Sequence, residues 1–180
     1  MLILPSVYVE VMLVAILRPF AAMSQQVFGR FSPRDQCAMH ANNLMTIIWT
    51  FRAFGQLRFE YYLTHPLGTV AYILLMQHDG TEVQMDTLVR ACQCLHEMRT
   101  MLPLAADVLS GIRAAFRLYK QGIPEYMARY FSSLRHRSDG LLHHTVASLL
   151  PHSAQDTEDG YWVDVQLQAL LKEFDNFDVD

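Results

Sequence analysis

Cysteines and histidines are the residues here most able to do chemistry, and their spacing limits what they can do. The pentapeptide CQCLH at 92–96 puts Cys92 and His96 four residues apart, on one face of a helix. Cys94 falls on roughly the opposite face, so the three do not converge on one ion, and zinc wants about four ligands. Thiols packed in a helical core are the expectation, with no metal ligand assigned. His136, His143, His144 and His152 lie in a polar stretch and read as solvent-facing. The chain carries no G-x-S-x-G elbow, no phosphate-binding loop and no G-x-G-x-x-G turn. Asp79 and Glu82 sit at a turn, where helix capping accounts for them without an acid–base pair. Arg129, Arg135 and Arg137 make a small basic cluster around Tyr130 and Phe131, short of the stripe that a nucleic-acid-binding module presents. Neither a catalytic residue, a DNA-binding residue nor a cofactor is therefore assigned, and a non-enzymatic protein is expected.

The elements that hold these residues read as helices throughout. Tyr8–Phe20, YVEVMLVAILRPF, is apolar on nearly every side, which requires a cover of protein or lipid. Its uninterrupted apolar run, Val11–Leu17, is well short of the ~20 residues of a membrane span and directly follows Glu10. A buried N-terminal helix wrapped by the others is the expectation, with Arg18 at its negative end and Pro19 stopping it. Ser32, Pro33 and Asp35 then give an N-cap, a first helical residue and an acid in the first turn. Cys37, Ala41, Leu44, Ile48 and Phe51 follow as one apolar stripe, with Gly55 closing the helix.

A helix opened by Pro66 is apolar enough to be largely buried, and His78–Gly80 closes it as a turn. Thr81 and Gln84 form a capping box for the next, which lays Met85, Leu88, Cys92, Leu95 and Leu102 on one side. Ala105, Val108, Ile112, Ala115 and Tyr119 mark another helix, ended by Gly122, and Pro124 starts a short last one. No stretch alternates with period two. The fold class is all-α, an irregular multi-helix array around that N-terminal helix. Residues 1–131 form the helical domain, 132–160 a polar linker with one short helix, and 161–180 an acidic–apolar segment.

Composition agrees with a packed helical body. Hydrophobic residues make up 52% and charged ones 18%, with 10 methionines suited to adaptable helix contacts. From Gln155 onward eight acids face Lys172 alone, a local charge of −7 within a net −4, so the body before it is mildly basic. The odd set Cys37, Cys92 and Cys94, with no secretory signal before the apolar run, argues for reduced thiols in an intracellular protein. In the last segment Leu167, Leu170, Leu171, Phe174 and Phe177 make an apolar ridge if helical, kept soluble by Asp164, Glu173, Asp175, Asp178 and Asp180. Such a ridge either docks on its own domain or folds on a protein partner.

Taken in order, these segments resemble a known family. YVEVMLVAILRPF resembles the signature of the fungal-specific transcription factor regulatory domain, the middle homology region, in which a helix ends in a Leu-x-Arg-Pro-Phe or similar element. That element is here Leu17, Arg18, Pro19 and Phe20. The helix from Cys37 through Ala41 to Ile48 resembles the family's Cys- and Ala-rich helix, and HPLGTVAYILL, ACQCLHEM and AADVLSGI follow in similar order and spacing, so that the likeness covers roughly 5–131. The resemblance implies a helical regulatory domain between an N-terminal zinc binuclear cluster and a C-terminal activation region. Such a cluster takes six cysteines; the three here are spaced otherwise, so zinc binding and DNA recognition carry over to no residue. A C-terminal fragment, or a gene product without the cluster, is expected.

The resulting expectation is a nuclear transcription-regulator module that works through protein partners, either transcription machinery or a full-length regulator. It would respond to a partner or a small-molecule effector, without a membrane and without direct nucleic-acid contact. Leu17–Phe20 would serve architecture. The alternative from a different class is a helical small-molecule-binding protein or enzyme with an apolar pocket.

Overall fold

The computed structural model describes residues 3–77, 81–132 and 134. Seven α-helices run through them: α1 (Ile3–Leu17), α2 (Gln25–Phe28), α3 (Pro33–Ala53), α4 (Thr64–Met76), α5 (Glu82–Met98), α6 (Pro103–Leu118) and α7 (Glu125–Phe131). Short 3-10 turns at Arg18–Phe20, Leu57–Phe59 and Tyr61–Leu63 link them, and no strand occurs among the described residues. The fold is all-α.

Local chemistry explains most boundaries. Ser32 caps α3, its Oγ accepting from the Asp35 amide at 3.2 Å, and Pro33 fills a position whose amide would have no helical partner. Thr81 accepts from the Gln84 amide at 3.4 Å to start α5. The ends of α3 and of the short α2 are followed by Gly55 (φ 71°) and Gly29 (φ 119°), which take backbone angles that side chains resist. Three expected boundaries shift, the first at α5, which ends at Met98 and leaves Leu102 in the connector before Pro103. Helix α4 begins at Thr64 rather than Pro66, because proline fits the first turn and needs no amide bond there. Helix α6 ends at Leu118, and Lys120, not Gly122, takes the left-handed turn (φ 54°).

Helix α4 is the centre of the array. Thr64 and every residue from Pro66 to Leu75 are buried, and the helix meets α3, α5 and α6. The core it shares with them takes Ala41, Leu44, Met45, Ile48 and Phe51 from α3, Leu88, Ala91, Cys92 and Leu95 from α5, and Val108, Leu109 and Ile112 from α6. The expected α3 stripe is buried in full. On α5 the apolar side is wider than expected: Cys94 is as buried as Cys92, because α3, α4, α6 and α7 all pack against this helix and enclose more than one face.

The N-terminal helix corrects a larger expectation. Val7 and Val14 are buried, but Val9, Met12 and Ile16 are more than half exposed, and α1 packs mainly along α3. Apolarity on every side shows that a helix could be wrapped; the number of neighbours decides whether it is. Helix α1 has one long neighbour and α4 has three. The Glu10 carboxylate and the His40 ring meet at 2.7 Å between Oε2 and Nδ1 and fix the α1–α3 seam.

Leu74, 1% exposed on α4, should cost about 2–5 kcal/mol when changed to alanine. Val83→Ala, at a site 65% exposed, should stay within about 0.5 kcal/mol. Urea denaturation measures both, and comparable losses would contradict the central position of α4.

Candidate functional site

The Leu17–Phe20 element is a joint rather than a plain helix end. Helix α1 stops at Leu17, and Arg18, Pro19 and Phe20 form a 3-10 turn that packs against α3. Leu17 leans on a small cluster of Val14, Cys37 and Ile73, which ties α1 to α3 and α4. Phe20 does not enter the core. Its ring meets Phe28 with centroids 5.5 Å apart, and Phe28 meets Phe31 at 5.1 Å, so the phenylalanines form a row along the connector.

The Arg18 guanidinium is half-buried, near Cys37 of α3, His65 of α4 and Tyr119 just after α6. Desolvation lowers its pKa, while Cys37 and Tyr119 act in the opposite sense. Burial pushes the Cys37 thiol up to about 11 despite Arg18. Tyr119 is raised by burial, with Arg18 again opposing. His65 keeps part of its surface exposed, yet desolvation and then Arg18 hold it below the usual imidazole value. Tyr72, beside Tyr119 and fully enclosed, is raised by burial, and its hydroxyl has no hydrogen-bond partner. At neutral pH this node keeps a charged arginine among neutral thiol, phenol and imidazole groups, an arrangement suited to holding segments together.

Two side chains brace the adjacent end of α4, where helical carbonyls lack partners of their own. Arg34 Nη2 donates to the Gln77 carbonyl at 2.8 Å, and Gln121 Nε2 donates to the Leu75 carbonyl at 2.9 Å. The start of α3 and the segment after α6 are thereby fastened to α4.

A second polar seam joins α3, α5 and α7. Arg52 forks onto Glu97, with Nε donating to Oε2 at 2.8 Å and Nη2 to Oε1. Gln93 Nε2 adds a bond to Glu97 at 3.2 Å, and the Tyr130 hydroxyl donates to Gln93 Oε1 at 3.4 Å. Trp49 lies between two cations, Arg52 at 4.5 Å and Arg90 at 5.2 Å from its ring centroid. Beside this seam opens a groove of about 460 Å³ lined by Arg52, Gly55, Leu57, Arg58, Glu97 and Thr100. The Arg52 and Glu97 charges are already satisfied by each other, so the groove presents no convergent acid and base.

Cys92 and His96 do not share a site. Cys92 is fully buried, while His96 Nδ1 sits 3.2 Å from the Tyr130 carbonyl and its ring meets Tyr130 edge-on. No group of three or more His, Cys, Asp or Glu able to hold a metal occurs among the described residues. The ridge residues Leu167, Leu170, Leu171, Phe174 and Phe177, the histidines from His136 to His152, and the turn at His78–Gly80 lie outside the described residues. No described helix is long and apolar enough to cross a membrane.

Sequence reasoning missed three features. The grouping around Arg18 draws on residues up to 101 positions apart, from Arg18 to Tyr119, and no local pattern announces it. The Arg52–Glu97 fork spans 45 positions. The exposed side of α1 was hidden by its own uniform apolarity. Here Tyr8 is 49%, Val9 57%, Met12 58% and Ile16 58% exposed. The Tyr61 and Tyr62 rings, 3.9 Å apart by centroid, adjoin this face. Tyr61 has a raised pKa, chiefly through its hydrogen bond to Tyr62, and Tyr8 is close enough to contribute.

Two measurements follow from the titrating groups. Burial raises all three thiols, Cys94 to about 12, so the folded chain should be nearly inert to a thiol reagent at mildly alkaline pH and should show three reactive thiols once denatured. Fast reaction of one native thiol would contradict this. Burial acts to raise the Glu97 pKa, but hydrogen bonds from Arg52 and Gln93 outweigh it and the net shift is downward. A lowered folded-state pKa stabilises above the unfolded value and is lost as pH falls through the folded one. Glu97→Gln should therefore destabilise at neutral pH, by no more than about 1 kcal/mol for so exposed a pair, and the difference from wild type should shrink below pH 4.5. Denaturant titrations across that range test it; a constant difference would contradict the ion pair. Compared with protein-family models, with curated proteins and with solved structures, the chain finds no match.

Proposed function

We propose that this chain is the regulatory module of a transcription regulator, a non-catalytic helical scaffold that acts in the nucleus through protein partners. The observation that carries the reading is the joint at Leu17–Phe20. The resemblance puts this element at the head of an ordered series of segments, and Arg18 at the end of α1 lies near Cys37 of α3, His65 of α4 and Tyr119 just after α6. A contact that moves α1 would therefore be felt by three other helices, as a regulatory domain requires.

In this reading residues 161–180 supply the contact with transcription machinery, through Leu167, Leu170, Leu171, Phe174 and Phe177 set among acids. A small-molecule effector or a protein partner would act on the helical body. DNA recognition belongs to another module or another chain.

Fusing residues 155–180 to an unrelated DNA-binding module should raise reporter output at least roughly tenfold, a change equivalent to about 1.4 kcal/mol in an equilibrium. The double substitution Leu170→Ser with Phe174→Ser should return output to background. No rise from the native segment, or a rise insensitive to the double substitution, would remove the activation role.

A further inference from the structure

Among the described side chains of α1, from Pro5 on, the exposed ones are Pro5, Ser6, Tyr8, Val9, Met12, Ala15 and Ile16, and not one is charged. All but Ser6 fall on one stripe, at the spacing with which packed helices meet. The stripe is also symmetric about Met12, with Val9 and Ala15 three residues to either side and Tyr8 and Ile16 four. Tyr61 and Tyr62, 54% and 48% exposed, extend it beside Tyr8. Phe20, Phe28 and Phe31 pack in a row of their own after the helix.

From this face we infer that the chain pairs with a second copy of itself, α1 against α1 in antiparallel register about a two-fold axis at Met12. Three features select that occupant. A two-fold contact brings a surface against itself, so any charge on it would meet its like; this stripe has none. An antiparallel register sets Tyr8 against the partner's Ile16 and Val9 against the partner's Ala15, which matches bulky groups with smaller ones and opposes the helix dipoles. The available area also suffices. Six large side chains, each about half exposed, offer on the order of 600 Å² per copy, approaching the ~800 Å² per partner of a standard interface and at the upper end of the apolar patches that monomers show. The inference is independent of the activation role above.

Cysteine cross-linking of the full chain tests both pairing and register, because the three native thiols are buried. Met12→Cys should give a covalent dimer on mild oxidation, whereas Val83→Cys, on an exposed site of α5, should not. A mixture of Tyr8→Cys and Ile16→Cys chains should cross-link to each other in preference to like with like. In sedimentation, Met12→Glu should weaken dimerisation at least roughly a hundredfold, since it sets two carboxylates face to face at the axis, and its far-UV circular dichroism should match wild type. A wild-type chain that stays monomeric at high concentration overturns the inference. So does a dimer that survives Met12→Glu, or a Tyr8→Cys chain that cross-links only to its own kind.

Discussion

Burial of α4 on every side is the constraint from which the rest of this architecture follows. A helix with no polar face must have neighbours around its whole circumference, and α3, α5 and α6 supply them. That requirement fixes what those helices must be: each needs an apolar stripe facing α4 and enough polarity behind it to meet water. The stripe of α3, from Cys37 to Phe51, meets the condition in full, while α6 is buried beyond its stripe, from Asp107 to Ile112 and again from Ala114 to Phe116. Connections between successive helices are short, so helices adjacent in the chain lie naturally beside one another.

Apolar packing alone leaves such helices free to slide, and the polar bonds fall where sliding would occur. Arg34 and Gln121 take up carbonyls at the end of α4, locking its position along α3 and α6. Arg52 and Glu97 do the same for α3 against α5, and Thr87 bonds Asn42 across that seam at 2.9 Å. Each contributes modestly to stability, but each is satisfied at only one axial offset, so together they set the register that hydrophobic contact leaves open. The Arg18 node extends this to α1, where a partly desolvated cation is tolerated beside thiol and phenol groups.

Much of the fold was legible in the chain because caps and stripes are local. Ser32-Pro33 and Thr81 named the starts of α3 and α5, and the alternation of apolar and polar residues at helical spacing gave their inner faces. What stayed illegible depends on contacts between distant residues. YVEVMLVAILRPF and HPLGTVAYILL are both apolar on all sides, and nothing within either stretch says that the first has one major neighbour and the second three. Burial was expected of Cys94 as of the other thiols, but not what covers it: α3, α4, α6 and α7 together enclose more of α5 than one face. The candidate site was legible only in part: Leu17–Phe20 stood out as a motif, while the His65, Tyr72 and Tyr119 environment around Arg18 emerges only from tertiary packing.

The contrast between α1 and α4 carries a functional consequence. Had α1 served only to cover α3, selection for solubility would permit polar residues at positions 9, 12 and 16, since none of them touches the core. They are instead Val, Met and Ile, continuous with a pair of tyrosines, and aromatic residues with methionine are the types enriched where proteins meet. Solvation of that stripe is unfavourable in an isolated copy and is relieved by contact, so association bears directly on α1. Because α1 runs into the Arg18 turn, whatever covers its outer face is mechanically joined to the node where α3, α4 and α6 meet. Surface contact and core arrangement are thus coupled through a single helix, with no catalytic apparatus needed to make the coupling matter.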